Sequence, residues 1–87
     1  MATANTENLN VKIYAPFRTY FEGAATSISA VNKTGPFDIL AQHKNFISLL
    51  ASCKITVRAP QRPDFVMPIE RGVMHVKANK VTVFLDV

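Results

Sequence analysis

A catalytic centre needs a nucleophile or general base with a partner that orients it, or a cluster of metal-ligating side chains. This sequence offers two histidines, one cysteine and six carboxylates. His43 and His75 have no cysteine or carboxylate at ligand spacing. Cys53 falls on the apolar side of an alternating run, the place of a core side chain rather than a nucleophile. His75 shares its parity with Val73 and Lys77, while Met74, Val76 and Ala78 make the more apolar face, so His75 should point outward. His43, between Gln42 and Lys44, reads as an exposed turn residue. The glycines lie at positions 23, 35 and 72 and form no phosphate-cradling loop. No catalytic residue, metal site or cofactor is expected.

Recognition chemistry is what remains. Ten Lys and Arg against six Asp and Glu give a net charge of +4, which could attract nucleic acid. No two cations are adjacent, and none forms a basic run interleaved with aromatics, so a dispersed, solvated basic surface is expected instead. Of Tyr14, Phe17, Tyr20, Phe21, Phe37, Phe46, Phe65 and Phe84, most read as core by parity. Phe17 and Phe37 adjoin turns and are candidates for exposed anchors.

The elements that must carry these residues are strands. Val and Ile number fifteen against five Leu, and with seven Thr they favour pleated, half-buried surfaces. Residues 1–8 are polar, without apolar periodicity, and read as a mobile leader; a single domain is expected over 9–87. Leu9, Val11, Ile13 and Ala15 alternate with polar neighbours until Pro16. Gly23 reads as a bend and Ala25 to Val31 as the second strand. Asn32 to Pro36 concentrates turn chemistry and should project as a loop before a short strand from Phe37 to Leu40. The run Phe46 to Leu50 fits a buried strand or a single helical turn equally. Cys53 to Arg58 and Phe65 to Ile69 alternate, with Pro68 demoting the latter to an edge. Gly72 reads as a bend, and Val73 to Ala78 and Val81 to Leu85 form a hairpin about Asn79-Lys80.

Eighty-seven residues suffice for one small domain, and several short strands at roughly ten-residue spacing indicate an all-β sandwich or barrel. A single cysteine closes no internal disulfide, which excludes a disulfide-stapled scaffold and suits a reducing compartment. The opening MATANTEN has neither a basic nor an apolar signal region, and no run approaches the ~20 apolar residues of a membrane-spanning helix.

From Leu9 to Val87 the order of features resembles the N-terminal β-sandwich domain of the epsilon subunit of F-type ATP synthases, called delta in mitochondria. The resemblance is carried by LNVKIYAP, YFEG, SISAV, GPFDIL, His43 followed by FISLL, and the closing ERGVMHVKANKVTVFLDV. It implies a flattened sandwich of two roughly five-stranded sheets. It also implies a non-catalytic rotor component that holds the gamma subunit and the membrane c-ring together at the foot of the central stalk. By position, Lys33, Thr34, Gly35, Pro36, Phe37 and Asp38 would face the c-ring, and Ala41, Gln42, His43 and Phe46 would lie against gamma. The chain would then be peripheral to a membrane through its complex, on the cytoplasmic face in bacteria or the matrix or stroma side in organelles.

Pro36 stands where the family usually has an acidic residue after the loop glycine, which leaves Asp38 as the nearby carboxylate. Ala41-Gln42 replaces the usual Pro-Gly pair before the histidine. The family generally continues into a two-helix domain that can inhibit ATP hydrolysis; this sequence contains no such helical hairpin, so the resemblance covers the rotor-attachment half. The alternative from a different class is a free-standing small β-barrel that binds single-stranded nucleic acid through its charge and aromatics.

Overall fold

The computed structural model describes residues 8–60 and 62–85. Of the leader expected over residues 1–8, only Asn8 falls among them, and the last two positions of the closing segment also lie outside. The described residues form strands β1 (Leu9–Ala15), β2 (Arg18–Ala25), β3 (Ser27–Asn32), β4 (Gly35–Leu40), β5 (Phe46–Leu50), β6 (Cys53–Arg58), β7 (Phe65–Ile69), β8 (Gly72–Lys77) and β9 (Lys80–Leu85). There is no helix among them.

Hydrogen-bonded neighbours run in the order β2-β1-β9-β8-β5-β3-β6-β7, with β4 added beside β3. The continuous sheet is hinged at one place. β3 pairs with β6 through Ser27, Ile28 and Ser29, but meets β5 in register only at Asn32 and Leu50. The hinge divides the sheet into a five-stranded layer, β2-β1-β9-β8-β5, and a four-stranded layer, β4-β3-β6-β7. The all-β sandwich expected from the sequence is therefore present, with its layers joined at one corner.

The layers enclose one core. Val11, Ile13, Met74, Val76, Val81 and Val83 from the five-stranded layer, and Ile28, Ile39, Ile55 and Val57 from the other, are completely buried. Each such side chain contributes about 1.5–3 kcal/mol of transfer free energy. Where no backbone ladder closes an edge, aromatic rings do. Phe21 of β2 and Phe65 of β7 approach to 5.2 Å between centroids, with the Arg62 guanidinium 5.0 Å from the Phe21 ring. At the other edge Phe37 of β4 lies 5.5 Å from Phe46 of β5.

Several expectations are corrected. Residues 18–25 form a full strand rather than a bend. Phe21, Gly23 and Ala25 share the inward parity, and the glycine at the middle position hides the period. Gly72 is no bend either. It opens β8 opposite Leu85, where a Cβ would stand 2.7 Å from the Phe84 carbonyl oxygen, so glycine is required by close approach. Residues 46–50 are a strand, paired along their whole length with β8. The hairpin turn is Ala78-Asn79, both at positive φ (51° and 64°), since Lys77 pairs with Lys80. Of the aromatics other than Phe17 and Phe37, most of which are expected in the core, only Phe21 is buried. The rest are half-buried, or exposed in the case of Phe84, because they line seams and the outer face rather than the interior.

Candidate partner-binding surfaces

The segment expected to face the c-ring is a tight hairpin. Asn32 Oδ1 accepts from the Thr34 backbone N–H at 2.9 Å and from the Thr34 hydroxyl at 2.7 Å, an Asx turn that sets the tip at Lys33-Thr34. The Asn32 amide also donates to Ser48 Oγ at 3.0 Å, pinning the hairpin to β5. Gly35 follows at φ 126°, open to a residue without Cβ. From there the chain is strand, and the six residues 33–38 separate. Lys33, Thr34 and Pro36 are exposed, whereas Phe37 turns toward Phe46.

Asp38 is engaged on the outer face of the four-stranded layer. Its Oδ1 accepts the Ser29 hydroxyl at 2.5 Å, and Arg58 Nη1 donates to Ser29 Oγ at 2.7 Å and to Ser27 Oγ at 3.2 Å. Asp38 is thus exposed but tied into a polar network on the strand rather than standing at the hairpin tip.

The segment expected to lie against gamma sits at the far end of β4, roughly 20 Å from the Lys33-Thr34 tip at strand rise. Gln42 takes φ 67°, filling with a side chain the left-handed position where the resemblance expects glycine. Its N–H donates to Asn79 Oδ1 at 2.5 Å, so this loop rests on the β8–β9 turn. His43 Nδ1–H donates to the Lys44 carbonyl at 2.8 Å, and its ring packs edge-on to Phe46 at 5.5 Å. His43 is thus half-buried rather than free in a turn. Phe46 touches both His43 and Phe37, bringing together residues from the two expected contact segments. Phe17 is fully exposed at the β1–β2 turn, as an anchor should be; Phe37 is not.

Sequence reasoning missed the broadest candidate surface, the outer face of the five-stranded layer. Leu49 pairs with Val73, Val73 with Phe84, and Phe84 with Tyr14, making one apolar row across β5, β8, β9 and β1. The Tyr14 and Phe84 rings are 5.2 Å apart, edge to face. Leu49 is 74% exposed and Ile47, one row away, 71%. A signal was available: FISLL is apolar on both parities, which in a strand means a second apolar face. The next rows hold Ile47, His75, Thr82, Lys12 and Glu22, then Lys77, Lys80 and Asn10.

Among the described residues no three His, Cys, Asp or Glu side chains gather to hold a metal ion. Cys53 is half-buried against the core, lining an open cleft with Lys54, Met67, Ile69 and Glu70. His75 is exposed on the sheet face, as its parity required.

Comparison with known proteins agrees with this architecture. An ATP synthase epsilon chain of Sulfurimonas denitrificans is 28% identical over 78 residues, covering 90% of this chain and 60% of the relative. One of Clostridium novyi is 29% identical over 83 residues, covering 92% and 61%. The chain therefore spans about three-fifths of the length of these curated relatives. In fold it is similar to a chain of the Euglena gracilis mitochondrial ATP synthase (TM-score 0.83, 16% identity, 90% of this chain and 50% of that one). It is likewise similar to a chain of the Tetrahymena thermophila mitochondrial ATP synthase central stalk and c-ring (TM-score 0.79, 14% identity, 93% and 65%). Residues 8–87 match the family described as ATP synthase, Delta/Epsilon chain, beta-sandwich domain, and with nearly its whole length matched this chain belongs to that family.

Proposed function

We propose that this chain is a non-catalytic central-stalk domain of an F-type ATP synthase that couples the gamma subunit to the c-ring during ion-driven ATP synthesis. It would be peripheral to the membrane that holds the complex, on the side where the catalytic head lies. The observation that carries the reading is the apolar row Leu49, Val73, Phe84 and Tyr14, left open on the outer sheet face of a chain belonging to this family. Contiguous apolar surface of this kind is the mark of a subunit interface. Torque transmission asks for stiffness and two contact regions; in this reading the Lys33-Thr34 hairpin tip would meet the c-ring, and the loop Ala41, Gln42 and His43 with the adjoining sheet face would meet gamma.

Co-expression with the cognate gamma subunit tests it. A stable complex is the expected outcome, and no association at about micromolar concentrations would refute the proposal. His43→Ala is expected to weaken the complex while leaving the fold intact. Phe46→Ala is a poorer probe, because that ring also closes the seam with Phe37. The nucleic-acid reading draws on Lys12, Lys77 and Lys80 sharing a face with Tyr14 and Phe84. It requires oligonucleotide binding at low salt that declines steeply as salt is added.

A further inference from the structure

The outer face of the five-stranded layer is graded from apolar to cationic. At one end of β8 and β9 stands the row Leu49, Val73, Phe84 and Tyr14; at the other, beside the Ala78-Asn79 turn, stand Lys77 and Lys80, with Lys12 and His75 one row in. Lys77 and Lys80 are directly opposite each other in the antiparallel register, an arrangement that like charges oppose. Glu22 ends the row of Lys12 and stands directly opposite it, offsetting charge at that end, while the Lys77-Lys80 row holds no carboxylate. The loop of Gln42, His43 and Lys44 is tied to the same turn by the Gln42–Asn79 bond. A repulsive pair at the rim of an open apolar face is a place where a partner's negative charge is rewarded on binding.

We propose that this corner is a carboxylate-binding site, and that the segment covering the face is an amphipathic stretch of the gamma subunit whose apolar side chains lie on Leu49, Val73 and Phe84 and whose acidic side chains meet Lys77, Lys80 and Lys12. The proposal rests on the reading that gamma docks here, and it assigns that partner its chemistry. A polypeptide fits better than single-stranded nucleic acid. The Phe84 ring is engaged edge to face by Tyr14, Lys12 lies 5.0 Å from the Tyr14 centroid, and the rest of the row is aliphatic, so no succession of free ring faces is offered to bases.

Titration calorimetry of the whole chain with the cognate gamma subunit, at about 50 and about 300 mM salt, tests it. Wild-type affinity is expected to fall with salt. Lys77→Glu with Lys80→Glu should weaken binding roughly tenfold or more at low salt and flatten or invert the salt dependence. Phe84→Ser should weaken binding while leaving the salt dependence in place. Lys77→Glu alone sets opposite charges across the hairpin, so its melting temperature should hold or rise while gamma affinity drops; a merely structural role for Lys77 would move the two together. Failure of the wild-type chain to bind gamma would sink the docking reading and this proposal with it. Wild-type binding that the double charge reversal leaves unchanged at both salts would overturn this proposal alone. Displacement of gamma by an oligothymidine of about twenty nucleotides would overturn it in favour of nucleic acid.

Discussion

Gly72 and Ala78 are small residues under opposite constraints. At Gly72 an added Cβ would lie 2.7 Å from the Phe84 carbonyl oxygen and 3.1 Å from Leu85 Cδ2, and the backbone oxygen cannot move without spreading the β8–β9 ladder. Gly72→Ala is expected to destabilise the fold by about 1–3 kcal/mol, the range of overpacked cores, read as a lower urea midpoint at unchanged m. A midpoint equal to wild type would disprove the contact. Ala78 has the reverse problem: it holds φ 51° in a two-residue turn where left-handed backbone costs an L-residue roughly 1–2 kcal/mol. Ala78→Gly should stabilise by about 0.5–1 kcal/mol after the entropy cost of glycine, and a fall in thermal midpoint would contradict it. Both constraints lie in backbone geometry, which residue type alone discloses poorly. Gly72 looked like a bend because glycine usually is one, and only its partner across the ladder reveals a packing requirement.

Strands differ in how openly their alternation can be read. β1, β8 and β9 each bury one complete parity, so Leu9, Val11, Ile13, Met74 and Val76 could be assigned inward from the sequence and His75 outward, whereas Phe84 blurs the period of β9. β2 could not, because glycine occupies a central inward position and the bulge between Ile13 and Tyr14 shifts its register. The partners of β2 were equally hidden. Its free edge meets β7 through side chains, Phe21 on Phe65, and such a seam leaves no periodic trace. The seam makes its own prediction: in a double-mutant cycle of Phe21→Leu and Phe65→Leu, the coupling should be about 0.5–1.5 kcal/mol, as for a ring pair in contact. Strict additivity would mean that the edges are held by the core alone. The cationic corner was out of reach for a related reason. Lys12 and Lys80 come from the first and last strands, and the parallel pairing of β1 with β9 that brings them together depends on the whole topology.

Across the molecule the two outer faces are chemically unlike, and under the proposed function this asymmetry would decide which face meets gamma. The four-stranded layer shows solvent a network of Ser27, Ser29, Asp38 and Arg58 whose polar groups satisfy one another, with Leu40 and Val66 as its exposed apolar residues. The five-stranded layer shows Ile47, Leu49, Val73 and Phe84, for which water is a poor neighbour. A matched pair of substitutions turns the contrast into a measurement. Leu49 on β5 and Val66 on β7 are both exposed apolar strand residues, one on each layer. Neither side chain supports the core, so Leu49→Lys and Val66→Lys should each change the unfolding free energy by no more than about 0.5 kcal/mol. Their effects on association with gamma should part company. Leu49→Lys places a charge at the β5 end of the apolar row that the proposed contact would desolvate, and is expected to weaken the complex roughly tenfold or more, whereas Val66→Lys should leave it unchanged. Equal losses from both would mean that gamma reaches around the sandwich, and a loss from Val66→Lys alone would reverse the orientation. Because a rigid sandwich transmits force through whichever face is bound, that orientation would also fix, under the proposed function, which side of the hairpin tip at Lys33-Thr34 is left for the c-ring.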